Sequence, residues 1–244
     1  MTHYDAYLDI GSDHCMIHVL SLPGCMVRAS NPEEAVSRLP GAIREYHAWL
    51  RQHGESVHYE TEPIDVVIAE ESTGFGPFNP GDAAALFSPD REPISPEKIR
   101  DHFRLMGYAR ADLLALVRDL PDETLDWQPD PQSFSIRRIL RHIGNAEEWY
   151  ISRIVPPETL PAEWEHDEDL PIFDFLEMER RTAIARLRKL TGEERAAITH
   201  PAHWTQHPDE PWTALKSLRR FLEHEREHTA QIREILEHYE ETHH

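Results

Sequence analysis

His224 and His228 stand four residues apart in FLEHEREHTAQI (221–232), a run that reads as helix. On a helix that spacing places two imidazoles one above the other on a single face, where both can address one cation. The same stretch, His224-Glu225-Arg226-Glu227-His228, also fits H-E-x-x-H, the zinc-protease signature. Such a protease takes its third ligand from beyond a turn or from a second helix. His238 lies ten residues further along the same helix with no Gly between to turn the chain back, so that closure is disfavoured. Glu225 adjoins a candidate ligand and could act as a base on water at a metal; the expectation is the plainer one, an exposed helix carboxylate.

His142 is the natural third ligand. It sits three residues after Ile139 and seven before Trp149, on the apolar stripe of a second helix. Three histidines thus point into one bundle from two helices, a geometry in which imidazoles can meet on a divalent cation. A single histidine on an apolar face is usually a satisfied core residue. Three of them, each needing a polar partner, are rarely tolerated in a core without a ligand. Asn145, one turn after His142, is placed to hydrogen-bond a ligand imidazole or a substrate, or to make a plain interhelical bond. His200, His203 and His207 lie among Pro, Thr and Trp with no rigid element to preorganise them, and read as loop surface. Cys25, after Leu22-Pro23-Gly24, has no His or carboxylate partner fixed in sequence and reads as a small apolar filler.

The elements that must position these residues divide the chain near residue 72. Residues 3–10, 15–22 and 64–71 carry strand patterns. Between them, Asn31 and Pro32 open a helix with Glu34 three after the cap, and Pro40-Gly41 predicts a kink or break in it. Residues 72–94 are rich in Gly, Pro and Asp and read as a linker, with Phe75, Phe78 and Phe87 suggesting that parts of it pack on a domain surface. From 95 onward the period is helical. The first helix runs from the Ser95-Pro96 cap to about residue 119, and the second from Ser135 to Pro156. A third is marked by Phe175 to Leu190 and closed by Thr191-Gly192; a fourth runs from Thr213 to Tyr239. Four amphipathic helices with two long connections predict a four-helix bundle over 95–244, behind an α+β module over 1–71.

Composition bounds the function. Apolar residues make up 39% of the 244, enough for real cores. The formal net charge of −20 repels nucleic acid, and the most basic run, IRRILRH (136–142), belongs to an amphipathic helix. No basic-then-apolar leader and no apolar stretch of membrane-spanning length are visible, so a soluble cytoplasmic protein without a membrane partner is expected. Two cysteines make no disulfide framework.

LDWQPDPQSFSIRRILRHI and HEREHTAQI, in this order and spacing, resemble the entry to the second helix and the closing H-x-x-x-H helix of the DinB/YfiT-like superfamily of four-helix metalloenzymes; Phe134 stands where a Trp is common. The resemblance covers about residues 95–240. It implies that His142, His224 and His228 hold a divalent ion, Zn or Ni first and Mn or Fe next, with open coordination positions. Several members are thiol-dependent S-transferases or isomerases, so the resemblance points to a low-molecular-weight thiol among the substrates. Residues 3–71, through LPGC and the following E-E-A helix, look like the HicB-type antitoxin fold, although Pro40-Gly41 departs from its usual unbroken helix. The DNA-binding element of such antitoxins is missing, which leaves a module for a protein partner or for self-association. The expectation is therefore a metal-dependent transferase or hydrolase. Against it stands a non-enzymatic binding module whose metal only braces the bundle.

Overall fold

The computed structural model describes residues 2–57, 63–73, 85–166 and 169–243. Phe75 and Phe78 lie outside them.

Strand β1 (Thr2–Ile10) pairs antiparallel with β2 (Cys15–His18), which pairs antiparallel with β3 (Met26–Ala29). Helix α1 (Pro32–Gln52) then crosses over, so that β4 (Ile64–Thr73) joins the other side of β1 in parallel. The order is β3-β2-β1-β4. The sequence reading missed β3, because four residues after a turn are too few to show a period. The LPGC turn between β2 and β3 closes through Cys25 N–H on the Leu22 carbonyl at 2.8 Å. Gly24 sits there at φ 88°, and a Cβ on it would lie 2.7 Å from Leu222 Cγ. Glycine is required at this point both for the turn and for the close approach of the last helix.

Asn31 caps α1, its side chain accepting from Glu34 N–H at 2.9 Å. The break predicted at Pro40-Gly41 does not occur: α1 is continuous, with Pro40 inside it. Proline there forfeits one backbone bond, but Leu39, Ile43 and Tyr46 are buried on the sheet side and hold both halves in line.

The helical part consists of α2 (Pro96–Val117), α3 (Asp122–Asp126), α4 (Ile136–Ser152), α5 (Ile172–Leu187), α6 (Gly192–Ala196) and α7 (Ala214–His243). Ser95 and Ser135 cap α2 and α4 as their positions predict. Thr191 does not close α5. The helix ends at Leu187, and Thr191 instead caps the short α6 in a reciprocal pair with Glu194. The long helices α2, α4, α5 and α7 form the bundle, whose core includes Met106, Leu113, Ile139, Ile143, Phe175, Leu218 and Phe221. Gly144 lets α4 approach α5 so closely that a Cβ would lie 2.2 Å from the Phe175 ring.

The two parts share a core. Leu105 and Ala109 of α2 and Leu222 of α7 are buried among the residues of the sheet and α1. Ala85, Phe87 and Asp90 are buried as well. Phe87 packs on Tyr7 and His18, and Ala85 N–H donates to Asp9 of β1. No helix among the described residues is long and apolar enough to cross a membrane.

Candidate metal centre

The three histidines converge. His142 reaches from the second turn of α4, and His224 and His228 from the middle of α7. Nε2 of His224 lies 2.9 Å from Nε2 of His142 and 3.1 Å from Nε2 of His228. The ring centroids are 4.4 to 4.9 Å apart and the planes steeply inclined. Metal–nitrogen bonds of about 2.1 Å separate ligand nitrogens by about 3.0 Å at right angles and by about 3.4 Å in a tetrahedron. The observed spacings fall at the right-angled end of that range.

Hydrogen bonding alone does not account for this crowding. Nδ1 of His228 donates to the Gln231 side-chain oxygen at 2.7 Å, which fixes the proton there and leaves Nε2 as a bare lone pair. One proton on His224 Nε2 cannot serve both neighbours well. A cation facing three lone pairs can, so the residues fit a divalent ion.

Electrostatics keeps the rings neutral. Burial, followed by the neighbouring His228, pushes His142 down to about 4. His224 is held well below its ordinary value by burial first, then by the other two imidazoles and by Arg220 and Arg28. Burial also lowers His228, against the opposing hydrogen bond to Gln231. All three therefore favour the neutral form that a metal ligand needs. His224 and His228 are buried and His142 is partly exposed, so the centre opens on the side of α4.

Glu225 corrects the expectation of an exposed carboxylate: it is 1% exposed. Arg110 of α2 donates to one of its oxygens at 2.5 Å and Arg180 of α5 to the other at 2.7 Å. The same two guanidinium groups bond Glu147 of α4, at 2.5 Å from Arg110 and 2.8 Å from Arg180. Each bundle helix thus gives one charge to a closed, neutral ring of two arginines and two glutamates. Burial alone would raise the Glu225 carboxyl, but Arg110 and Arg180 outweigh it and lower it. With both oxygens engaged, Glu225 is a poor base. The sequence reading missed Arg110, Glu147 and Arg180, although each falls on the apolar stripe of its helix, four residues after Met106, Ile143 and Leu176. Opposite charges at stripe positions were the available signal.

Asn145 is exposed, and among the described residues the triad is the group of His, Cys, Asp and Glu side chains placed to share an ion. His200, His203 and His207 lie in the loop before α7, where the His203 ring packs on Trp204, and they take no part in it. Cys25 is buried, and burial pushes its thiol up to about 12, consistent with an inert filler.

Among the described residues, cavities adjoin the bundle at two places of note. The larger, about 550 Å³, lies against α5 between Thr159, Arg181, Arg186 and Lys189 and touches none of the triad. The smaller, about 280 Å³, is lined by Phe134, Gln231, Ile235 and His238 among others. None of the triad lines it either, but Gln231, one of its wall residues, holds His228.

The model of the DinB superfamily matches residues 106–232, just over half of the chain and all three histidines, and the chain belongs to that superfamily. Among solved structures the chain is similar to YfiT from Bacillus subtilis, described as "a probable metal-dependent hydrolase with an unusual four-helix bundle topology". The two are 21% identical over 59% of this chain and 89% of that one, with a TM-score of 0.44. No curated protein matches the chain.

Proposed function

We propose that this DinB-superfamily chain is a metal-dependent enzyme in which His142, His224 and His228 hold one divalent ion, zinc or nickel by the nature of the ligands. It transfers a low-molecular-weight thiol to an electrophile or hydrolyses a small substrate. The observation that supports this reading is the approach of His224 Nε2 to within 3.1 Å of two other imidazole nitrogens, in a site that keeps all three rings unprotonated. When bound, such an ion supplies Lewis acidity that brings the pKa of a coordinated water or thiol near 7. The chain's own residues supply the rest. Gln231 fixes the tautomer and tilt of His228. The buried ring of Arg110, Glu147, Arg180 and Glu225 sets the register of α4 against α7, and so the spacing of the ligands. Three protein ligands leave room for substrate on the exposed side of His142.

Elemental analysis of the purified protein is the test. One equivalent of divalent metal in the native chain and none in His224→Ala supports the assignment, and an unchanged metal content refutes it. Turnover of a small thiol with an electrophile, dependent on added metal, supports the transferase; hydrolysis without thiol supports the hydrolase. We assign the sheet and α1, on their HicB-like pattern, to contact with a protein partner or a second copy. If no turnover accompanies the metal, the bundle is a braced binding module.

A further inference from the structure

Phe134 is 39% exposed, one of the few large apolar side chains on the surface among the described residues. It does not stand there idle. The Arg138 guanidinium stacks on its ring at 3.8 Å, which fixes the ring plane, and its remaining surface lines the cavity of about 280 Å³. Ile235 and Pro129 add apolar wall, and Ser133, Glu234, Gln231 and His238 add polar edge. His238 is itself braced by Trp127, with ring centroids 5.6 Å apart. The lining contains the Glu234 carboxylate but no lysine or arginine, and the Arg138 guanidinium beside it is engaged on the Phe134 ring, in a chain of net charge −20. An anion is disfavoured there. The volume is close to the lower end of small-molecule pockets, about 300 Å³, enough for one ring with a short substituent and too little for a peptide. Gln231 forms part of the wall and accepts the His228 Nδ1 hydrogen bond, so one wall residue of the cavity is in contact with the triad.

We propose that this cavity takes the planar, ring-bearing end of an uncharged or cationic small molecule, with Phe134 as the stacking wall that determines specificity. The other end of that molecule faces the triad. The second of these statements rests on the metal reading above; the first stands without it.

The test is binding of benzyl alcohol, benzylamine and benzoate to the full chain, metal-free and zinc-loaded, followed by amide and side-chain NMR shifts. Benzyl alcohol and benzylamine are expected to shift the Gln231 side-chain amide and the Phe134 backbone amide in both forms, and to bind the metal-free chain more tightly than benzoate does. Phe134→Ala is expected to weaken benzyl alcohol at least fivefold, while Phe134→Trp keeps it. Phe134 is exposed, so its truncation opens no internal hole and the variant folds. Equal binding by Phe134→Ala and the native chain overturns the proposal, as do shifts confined to the groove of Arg181 and Lys189. Ring binding that depends on Phe134 in a chain that takes up no zinc supports the cavity and rejects the metal. Zinc uptake with no ring binding does the reverse.

Discussion

His18 and Glu223 are 205 residues apart in the chain and 2.8 Å apart in space. Nδ1 of His18, on β2, donates to a carboxylate oxygen on α7, one residue before the triad's His224. Arg219 and Arg220 bond the same carboxylate. Burial alone would raise the Glu223 carboxyl, but His18, Arg219 and Arg220 outweigh it and hold it far below the usual carboxylate range. The helix that carries two of the three candidate ligands is thus fastened to the sheet by a charge at the centre of the interface. Glu223→Gln takes the carboxylate from buried Arg220, while Arg219 keeps Asp90 at 2.8 Å, and is expected to cost about 3 kcal/mol. Chemical denaturation measures it, and a loss under 1 kcal/mol would contradict the burial.

Glu225→Gln separates a structural role from a catalytic one. Removing the negative charge leaves Arg110 and Arg180 with one glutamate between them, a loss of about 3 kcal/mol in unfolding free energy. Metal stoichiometry, set by the histidines, is expected to stay at the native level. A variant of native stability that has lost only turnover would instead identify Glu225 as a base.

Gly144→Ala tests the close packing of α4 on α5. The added methyl meets the Phe175 ring, which must move within a filled core. The expected cost is about 2–3 kcal/mol, read as a lower midpoint in thermal unfolding. Gly107 on α2 has nothing within 4 Å of its Cβ position, so Gly107→Ala is the control and is expected to raise the midpoint slightly.

His102 gives a pH signature away from the triad. It is 2% exposed, its Nδ1 donates to the Lys98 carbonyl at 2.7 Å, and burial pushes its pKa below 6.5 against that hydrogen bond. Between the folded value and the unfolded one, about 6.5, the unfolded chain holds a proton that the folded chain lacks. Stability therefore carries no penalty from His102 above pH 6.5. It falls as pH drops below that, and the loss levels off under the folded pKa. His102→Leu is expected to flatten this part of the stability–pH curve; an unchanged slope between pH 6.5 and 5 would contradict it.

The triad was legible in the sequence because a spacing of four on one helix and a stripe position on another are one-dimensional signs of a three-dimensional face. Asn31, Ser95 and Ser135 were legible for a similar reason, since a cap acts over three residues. The ring of Arg110, Glu147, Arg180 and Glu225 was not. A charge is read as solvent-facing unless its partner is known, and these partners lie 33 to 115 residues apart. The continuity of α1 through Pro40 was hidden too, because the sheet that holds the two halves in line is not local to the proline. Thr191 was misassigned because the same Thr-Gly pair can end one helix or begin the next, and Glu194, three residues on, decides for the beginning.

The closed ring has a consequence for assembly. Each of α2, α4, α5 and α7 contributes one member, and all four are satisfied in a single alignment of the helices. Slipping any helix by one turn would leave a lone ion in an oily interior, so misaligned bundles are priced out during folding. His142, five residues before Glu147, and His224, one before Glu225, inherit their alignment from this lock. Charges that stand outside the triad decide that its imidazoles arrive together.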